Sequence, residues 1–217
     1  MRLIIIGPPG SGKGTQAKRL SERLSLRHFS TGDILREAIQ KQTPEGRSAS
    51  SYVSSGRLVP DELVNEIIRA LFRGKDSPKQ FIMDGYPRTI AQASFFDQLL
   101  REQGLDLDGV IFLEGPDEEV TRRLSGRRIC PNATCAASYH ITLKPPRQTD
   151  VCDLCGTRLV HRDDDKPETI AKRLQIYHAV YDELVEQYRR CGLLKEIPGV
   201  GAIETVYDRI VKALKPC

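Results

Sequence analysis

The sequence predicts an α/β fold, a doubly wound parallel sheet with two inserted segments. Three observations predict it. Short apolar, β-rich runs alternate with helical patterns along the chain. A Gly/Pro loop stands directly between the first of these runs and the first helix. One stretch, 126–163, breaks the alternation with paired cysteines, Pro145-Pro146 and no helical period, which marks an insertion.

Arg2 to Ile6 reads as the first strand and Lys13 to Leu24 as the first helix, with aliphatic Ala17, Leu20 and Leu24 at helical spacing. His28 to Ser30 reads as a short strand, and Thr31 or Asp33 caps the helix that follows. From Thr43 to Pro60 the chain is polar and Ser-rich, with helical pieces at best, and reads as an excursion from the core. Strands are expected at Phe81 to Met83, ending in Asp84-Gly85, then at Val110 to Leu113 and at Leu193 to Ile197. Helical patterns occupy 61–73, 89–103, 117–125, 167–190 and 203–214. Short right-handed crossovers join such elements. The core is therefore expected from 1–29, 60–125 and 164–217, with 30–59 and 126–163 as separate lobes.

The chain has 217 residues, 39% of them hydrophobic and 29% charged, which is the mix of a folded soluble protein rather than a disordered one. Net charge is 33 − 29 = +4, without a Lys/Arg block of the kind that tracks nucleic acid. Scattered arginines still suit small polyanions. The early apolar run Leu3 to Ile6 is too short for a signal peptide, and no stretch approaches a membrane span. A cytoplasmic protein that binds neither membrane nor nucleic acid is the expectation. Without a secretion signal, four clustered cysteines read better as metal ligands than as disulfides.

Gly7-Pro8-Pro9-Gly10-Ser11-Gly12-Lys13-Gly14-Thr15 has the strand-to-helix context of a phosphate loop. Glycines let backbone N–H groups curl around a phosphate, and the helix N-terminus adds its positive end. Lys13 supplies a mobile point charge for β- and γ-phosphates. The hydroxyl that normally follows the lysine is displaced by one position, with Gly14 intervening before Thr15. This displaced pattern resembles the nucleoside monophosphate kinases, and Gly7 to Gln16 resembles the adenylate kinase family in particular. The resemblance continues at Ser30-Thr31-Gly32-Asp33 with Arg36, at Gly56-Arg57-Leu58-Val59, at Asp84-Gly85-Tyr86-Pro87-Arg88-Thr89 with Gln92, and at Gly126-Arg127-Arg128. It closes with Arg162-Asp163-Asp164-Asp165 and Arg173, in the family's order along nearly the whole chain.

The resemblance implies a P-loop NTPase-type sheet with an NMP-binding segment at 30–59 and a zinc-bearing lid at 126–163. It implies reversible phosphoryl transfer from Mg-ATP to AMP, giving two ADP, by a monomer. Gly10, Ser11, Gly12, Lys13, Gly14 and Thr15 would hold ATP, with Arg127, Ser138, Tyr139 and Gly201. Tyr139 reads equally as lid core, and Gly201 as a turn glycine. Arg36 and Arg88 would clamp the AMP phosphate, where a planar fork suits bidentate binding better than Lys. Gln92 and the backbone of Arg57 and Val59, beside Leu58, would hold adenine. Thr31, Gly85, Tyr86 and Pro87 would line the pocket, and the Tyr86-Pro87 bond is cis in relatives. Lys13, Arg88, Arg123, Arg127, Arg162 and Arg173 would act in catalysis, Arg162 and Arg173 also touching AMP. Arg122 and Arg128 read as surface residues.

Asp84, at a strand end, reads as the partner of Mg²⁺ through its water shell. Asp33 either shares that role or caps a helix. No general base is evident, and none is needed where the nucleophile is an ionised phosphate.

Cys130 and Cys135 have four residues between them, Cys152 and Cys155 two, and sixteen separate the pairs. That spacing reads as a structural Zn²⁺ site with four protein ligands. His140 or His161 in place of one cysteine, or a disulfide pair, are the other readings. Cys191 and Cys217 read as a packed thiol and a frayed terminus. GTP as donor, or CMP or UMP as acceptor, are close variants; the long lid argues against the pyrimidine acceptors. A reading of another class, a zinc-ribbon nucleic-acid binder switched by ATP, leaves the Asp84-to-Arg88 motif unexplained and lacks clustered aromatics.

Overall fold

A computed structural model describes residues 1–74, 76–132 and 134–214. Five parallel strands form its sheet: β1 (Arg2–Ile6), β2 (Arg27–Ser30), β3 (Phe81–Asp84), β4 (Gly109–Glu114) and, beyond two short lid strands, β7 (Leu194–Pro198). Their order is β2-β3-β1-β4-β7. Register pairs Ile5 with Asp84 and with Ile111, so the ends of the three central strands lie side by side.

Strands of a sheet covered on both faces must be apolar on both, and Leu3 to Ile6 are fully buried. The two-residue alternation sorts them. Leu3, Ile5, Ile82 and Ile111 pack with Ala17 and Leu20 of α1 (Lys13–Leu24) and with Val206 and Ile210 of α8 (Ile203–Leu214). Ile4, Ile6, Phe81, Met83 and Val110 pack on the other face. Their partners there are Ile68 of α4 (Asp61–Leu71), Phe96 of α5 (Ile90–Glu102) and Leu184 of α7 (Pro167–Arg190). Helices on both faces make the doubly wound arrangement. Successive strands step to one side of β1 and then to the other, opening a crevice at the carboxyl ends of β1, β3 and β4.

Three expectations need correction. Ser30, not Thr31 or Asp33, caps α2 (Thr31–Gln40): its hydroxyl accepts from the Asp33 N–H. The polar stretch after Thr43 is not a set of pieces but a regular helix, α3 (Pro44–Ser54). Thr43 Oγ1 accepts from the Gly46 N–H, and Pro44 occupies the first turn, so local capping compensates for a weak apolar pattern. The helix α6 (Asp117–Ser125) leads into the small lobe, where β5 (Arg127–Ile129) pairs antiparallel with β6 (Ser138–His140). Among the described residues its own core is Cys130, Ala137, Tyr139, Cys152 and Leu159, with Cys135 packed against them. Cys191 is exposed rather than packed, because it follows the last turn of α7. Cys217 lies outside the described residues.

Candidate functional site

The phosphate loop leaves β1 and turns through left-handed Gly10 and Gly12 into α1. Gly12 caps α1 without any side-chain bond, so the first backbone N–H groups of that helix are left for a ligand. Lys13 folds back over the loop and donates to the carbonyls of Gly7 (2.7 Å) and Pro8 (2.6 Å). Burial pushes its ammonium down to about 7; Arg88, Arg173 and Arg127 add to the effect and Asp84 opposes it. Ser11 is buried, and its hydroxyl has no partner among the described residues. Thr15 is exposed on the first turn of α1.

Gly14 has a steric reason to stand where a hydroxyl residue usually does. A Cβ at Gly14 would lie 3.2 Å from Asp84 Oδ2, so the missing side chain lets the carboxylate approach the helix start. Asp84 is buried at the end of β3, and His28 Nε2 lies 3.6 Å from it.

Next to Asp84, the Gly85 carbonyl accepts from Thr31 Oγ1 (3.0 Å) and from Arg88 Nε (2.8 Å). The Tyr86-Pro87 peptide is cis, and the Tyr86 hydroxyl donates to Asn65 at 2.7 Å. Among the described residues Arg88 has no carboxylate partner. Arg36 pairs with Asp33 (2.6 Å), and Arg162 reaches the same oxygen at 3.3 Å. Burial would raise Asp33, but Arg36 and Arg162 outweigh it and hold the carboxylate below its usual range. Asp33 is thus engaged with arginines. Gln92 is buried with both ends of its amide bonded, to Asp61 and to the Arg88 N–H. Val59 is buried and Leu58 half-buried, while the Arg57 N–H is already bonded to the Tyr52 carbonyl.

Arg127, Arg173 and Arg36 converge on two aspartates that sequence reasoning gave no role. Arg127 grips the fully buried Asp165 with Nε and Nη2, at 2.7 and 2.6 Å. Arg173 donates to the Asp164 carbonyl (2.7 Å) and lies 3.3 Å from a carboxylate oxygen of each. Arg36 approaches Asp164 at 3.7 Å. Burial would raise Asp164, but Arg173, Arg36, Arg127 and Arg162 together hold it low. Burial also pushes Arg162 down to about 10, helped by Arg36 and Arg127, and its Nε has no partner among the described residues. A buried ion pair adds little net stability, since desolvation offsets attraction; here it orients side chains. Arg123, set by Glu119 (2.7 Å), donates to the carbonyls of Ser11 and Gly199 and so ties α6 to the loop. The signal for Asp164 and Asp165 was present as three consecutive aspartates, but nothing local said which arginines they would meet.

Ser138 is exposed, and Gly201 lies on the turn after β7 with φ of 124°. The Tyr139 side chain faces the lid core: its hydroxyl accepts from the Asp153 N–H and lies 3.6 Å from Cys152 Sγ. Around it the four cysteine sulfurs lie within 4.8 Å of one another. Cys130 and Cys155 are 3.4 Å apart, Cys135 and Cys152 3.6 Å. A tetrahedron with metal–sulfur bonds of about 2.3 Å has edges of about 3.8 Å, whereas a disulfide needs about 2.05 Å. The sulfur spacing therefore fits a metal. Burial would raise Cys152, but the Tyr139 hydroxyl and the backbone at Leu154 and Cys155 bring it down to about 6, whereas burial pushes Cys130 up to about 12. His140 is committed elsewhere: its Nδ1 accepts from the N–H groups of Thr142 and Leu143, both at 3.0 Å.

The family model described as adenylate kinase matches residues 5–193. The chain is 48% identical over 214 residues to an adenylate kinase of Caldicellulosiruptor bescii, covering 99% of each chain. It is 46% identical over 215 residues to one of Carboxydothermus hydrogenoformans, covering 99% of this chain and all of that one. With one of Streptomyces coelicolor the identity is 43%, covering 99% of each.

Proposed function

This chain belongs to the adenylate kinase family of phosphotransferases, and on that footing we propose that it moves a phosphoryl group reversibly from Mg-ATP to AMP, giving two ADP. One observation carries the finer reading. A loop whose helix start has no side-chain cap, an arginine without a carboxylate partner among the described residues and an aspartate-ordered arginine cluster share one crevice, and the field of Arg88, Arg127 and Arg173 reaches Lys13. Such a crevice can hold two polyanions end to end.

Phosphoryl transfer needs alignment and positive charge more than proton chemistry. The attacking oxygen belongs to a monophosphate already ionised near pH 7, so no base is required. Arg88 and Arg36 are assigned to the acceptor phosphate. Lys13 and the N-terminus of α1 are assigned to the donor phosphates. Arg123, Arg127, Arg162 and Arg173 gather around the transferred group as the lobe 126–163 closes and excludes water. Asp84 fits the water shell of Mg²⁺, being a buried carboxylate aimed at the start of α1 over a cradle that a Cβ would fill. Mg²⁺ neutralises charge on the β- and γ-oxygens when bound. Asp33 is left out of that shell, since Arg36 and Arg162 occupy it. The four cysteines are assigned to a Zn²⁺ that holds the lid and takes no part in the chemistry.

The test is ADP formation from Mg-ATP with and without AMP, beside CMP and UMP as acceptors and GTP as donor. Fast ADP formation only with AMP is expected. Slow release indifferent to every monophosphate would mean a simple ATPase.

A second expectation concerns protons. Lys13 has a pKa of about 7 in the free protein, and phosphates should restore it to the ordinary ammonium range. ATP binding is then expected to take up about half a proton at pH 7 and more at pH 8. Calorimetry in buffers of different ionisation enthalpy reads this directly. Proton release, or no dependence on buffer, would contradict it.

A further inference from the structure

Gln92 raises a question that the kinase reading leaves open. An amide presents a donor at one end and an acceptor at the other, and a half-turn about its last bond exchanges them. Adenine offers an acceptor at N1 and donors at its 6-amino group. A 6-oxopurine offers the reverse, N1–H and a carbonyl. A glutamine free to flip would therefore read both bases about equally well.

In this protein it is not free. Gln92 Nε2 donates to Asp61 Oδ1 at 2.7 Å, and Gln92 Oε1 accepts from the Arg88 N–H at 2.8 Å. Asp61 is acceptor-only when ionised, and the Arg88 N–H is donor-only. A flip would set oxygen against oxygen and N–H against N–H at a side chain only 2% exposed. Buried groups left unpaired in this way are costly. One N–H and one lone pair of Gln92 remain unused, and they are assigned to N1 and the 6-amino group of adenine.

Asp61 is itself held. Its Oδ2 accepts from Thr89 Oγ1 at 2.6 Å, and it opens α4, where the positive helix end favours a carboxylate. Gln92 is held as well, its N–H donating to Thr89 Oγ1 and its carbonyl accepting from the Tyr86 hydroxyl. Asp61 also follows Val59-Pro60 directly, at the end of the segment assigned to the acceptor base.

We propose that Asp61 is a positioning residue that selects adenine over 6-oxopurines by fixing the amide orientation of Gln92. This rests on the reading of Gln92 as facing the acceptor base. Hydrogen-bond complementarity of this sort supports large discrimination, because the wrong base leaves buried polar groups unpaired.

The experiment compares AMP with IMP as acceptors, at saturating Mg-ATP, in the wild type and in Asp61→Asn. An asparagine can accept from Gln92 or donate to it, so one of the two constraints is lost. The ratio of kcat/KM for AMP over IMP is expected to fall about tenfold. The change should fall mainly on KM for each monophosphate, with AMP weakened and IMP strengthened. Asp61→Ser, whose hydroxyl also donates or accepts but adds no volume, gives the same readout if Asp61→Asn does not fold. A folding defect alone would lower both acceptors together and leave the ratio unchanged. An unchanged ratio in a folded variant, with AMP turnover intact in the wild type, would overturn the role of Asp61 alone. A wild type that does not phosphorylate AMP would overturn the kinase reading and Asp61's role with it.

Discussion

Lys13→Met is expected to lower kcat about 10³-fold while leaving the protein folded. Lys13 is the loop cation assigned to the donor phosphates, and its two bonds in the free protein are to the loop carbonyls of Gly7 and Pro8 rather than to a structural carboxylate. Methionine keeps the apolar stem to within one atom and removes the ammonium with its charge and its two bonds. Folding should therefore survive. An ammonium pushed down to about 7 by burial weakens the native state below that pH. The sign follows from the pKa being depressed: the penalty is present below about 7 and fades as pH rises toward the ordinary lysine value. The variant should accordingly be no less stable than the wild type at pH 6. Turnover and thermal melting measured on the same preparation check both halves. Turnover near the wild-type value would remove Lys13 from the chemistry, and collapse of the fold would make its role structural.

Cys152→Ser is expected to abolish bound zinc and to lower the melting temperature by roughly 10 °C. The reason is the size of the lobe. Among the described residues six side chains make up its core, three of them cysteines, and a body that small does not hold itself without a metal or disulfide. Serine keeps the shape but offers a poor ligand, and the remaining three sulfurs are left without their centre. Turnover should fall as well, because Arg127 lies on β5 and Arg162 just past the lobe's last bridge at Val160. Metal content by emission spectrometry, melting, and limited proteolysis across 130–160 together decide it. A zinc-free protein with unchanged melting and an intact lid would refute a structural metal.

Much of this was legible before any coordinates. The strand–loop–helix at Arg2 to Leu24 carries its own signals: four aliphatics, a run of glycines and prolines, then helical spacing. The structure reproduces its bounds. The cysteine pairs were legible for a similar reason, since ligand spacing along the chain limits which sulfurs can meet. Less legible was α3, whose apolar pattern is weak and whose stability comes from Thr43 and Pro44 at one end. The cap of α2 was misread because Ser30, Thr31 and Asp33 are all good caps, and only the backbone of Ser30 is extended where a cap must be.

Local pattern thus determined the individual strands, the Gly/Pro loop after β1 and the two cysteine pairs, because each depends on residues a few positions apart, whereas the order of the strands in the sheet does not. Tertiary structure alone decided the partners. Arg127 meets Asp165 across 38 positions, Arg162 meets Asp33 across 129, and Gln92 meets Asp61 across 31. It also decided that a side chain at Gly14 would crowd Asp84, since that carboxylate belongs to another strand. Charge neutralisation and hydrogen-bond satisfaction act through space, and the chain order does not say which aspartate a given arginine will reach.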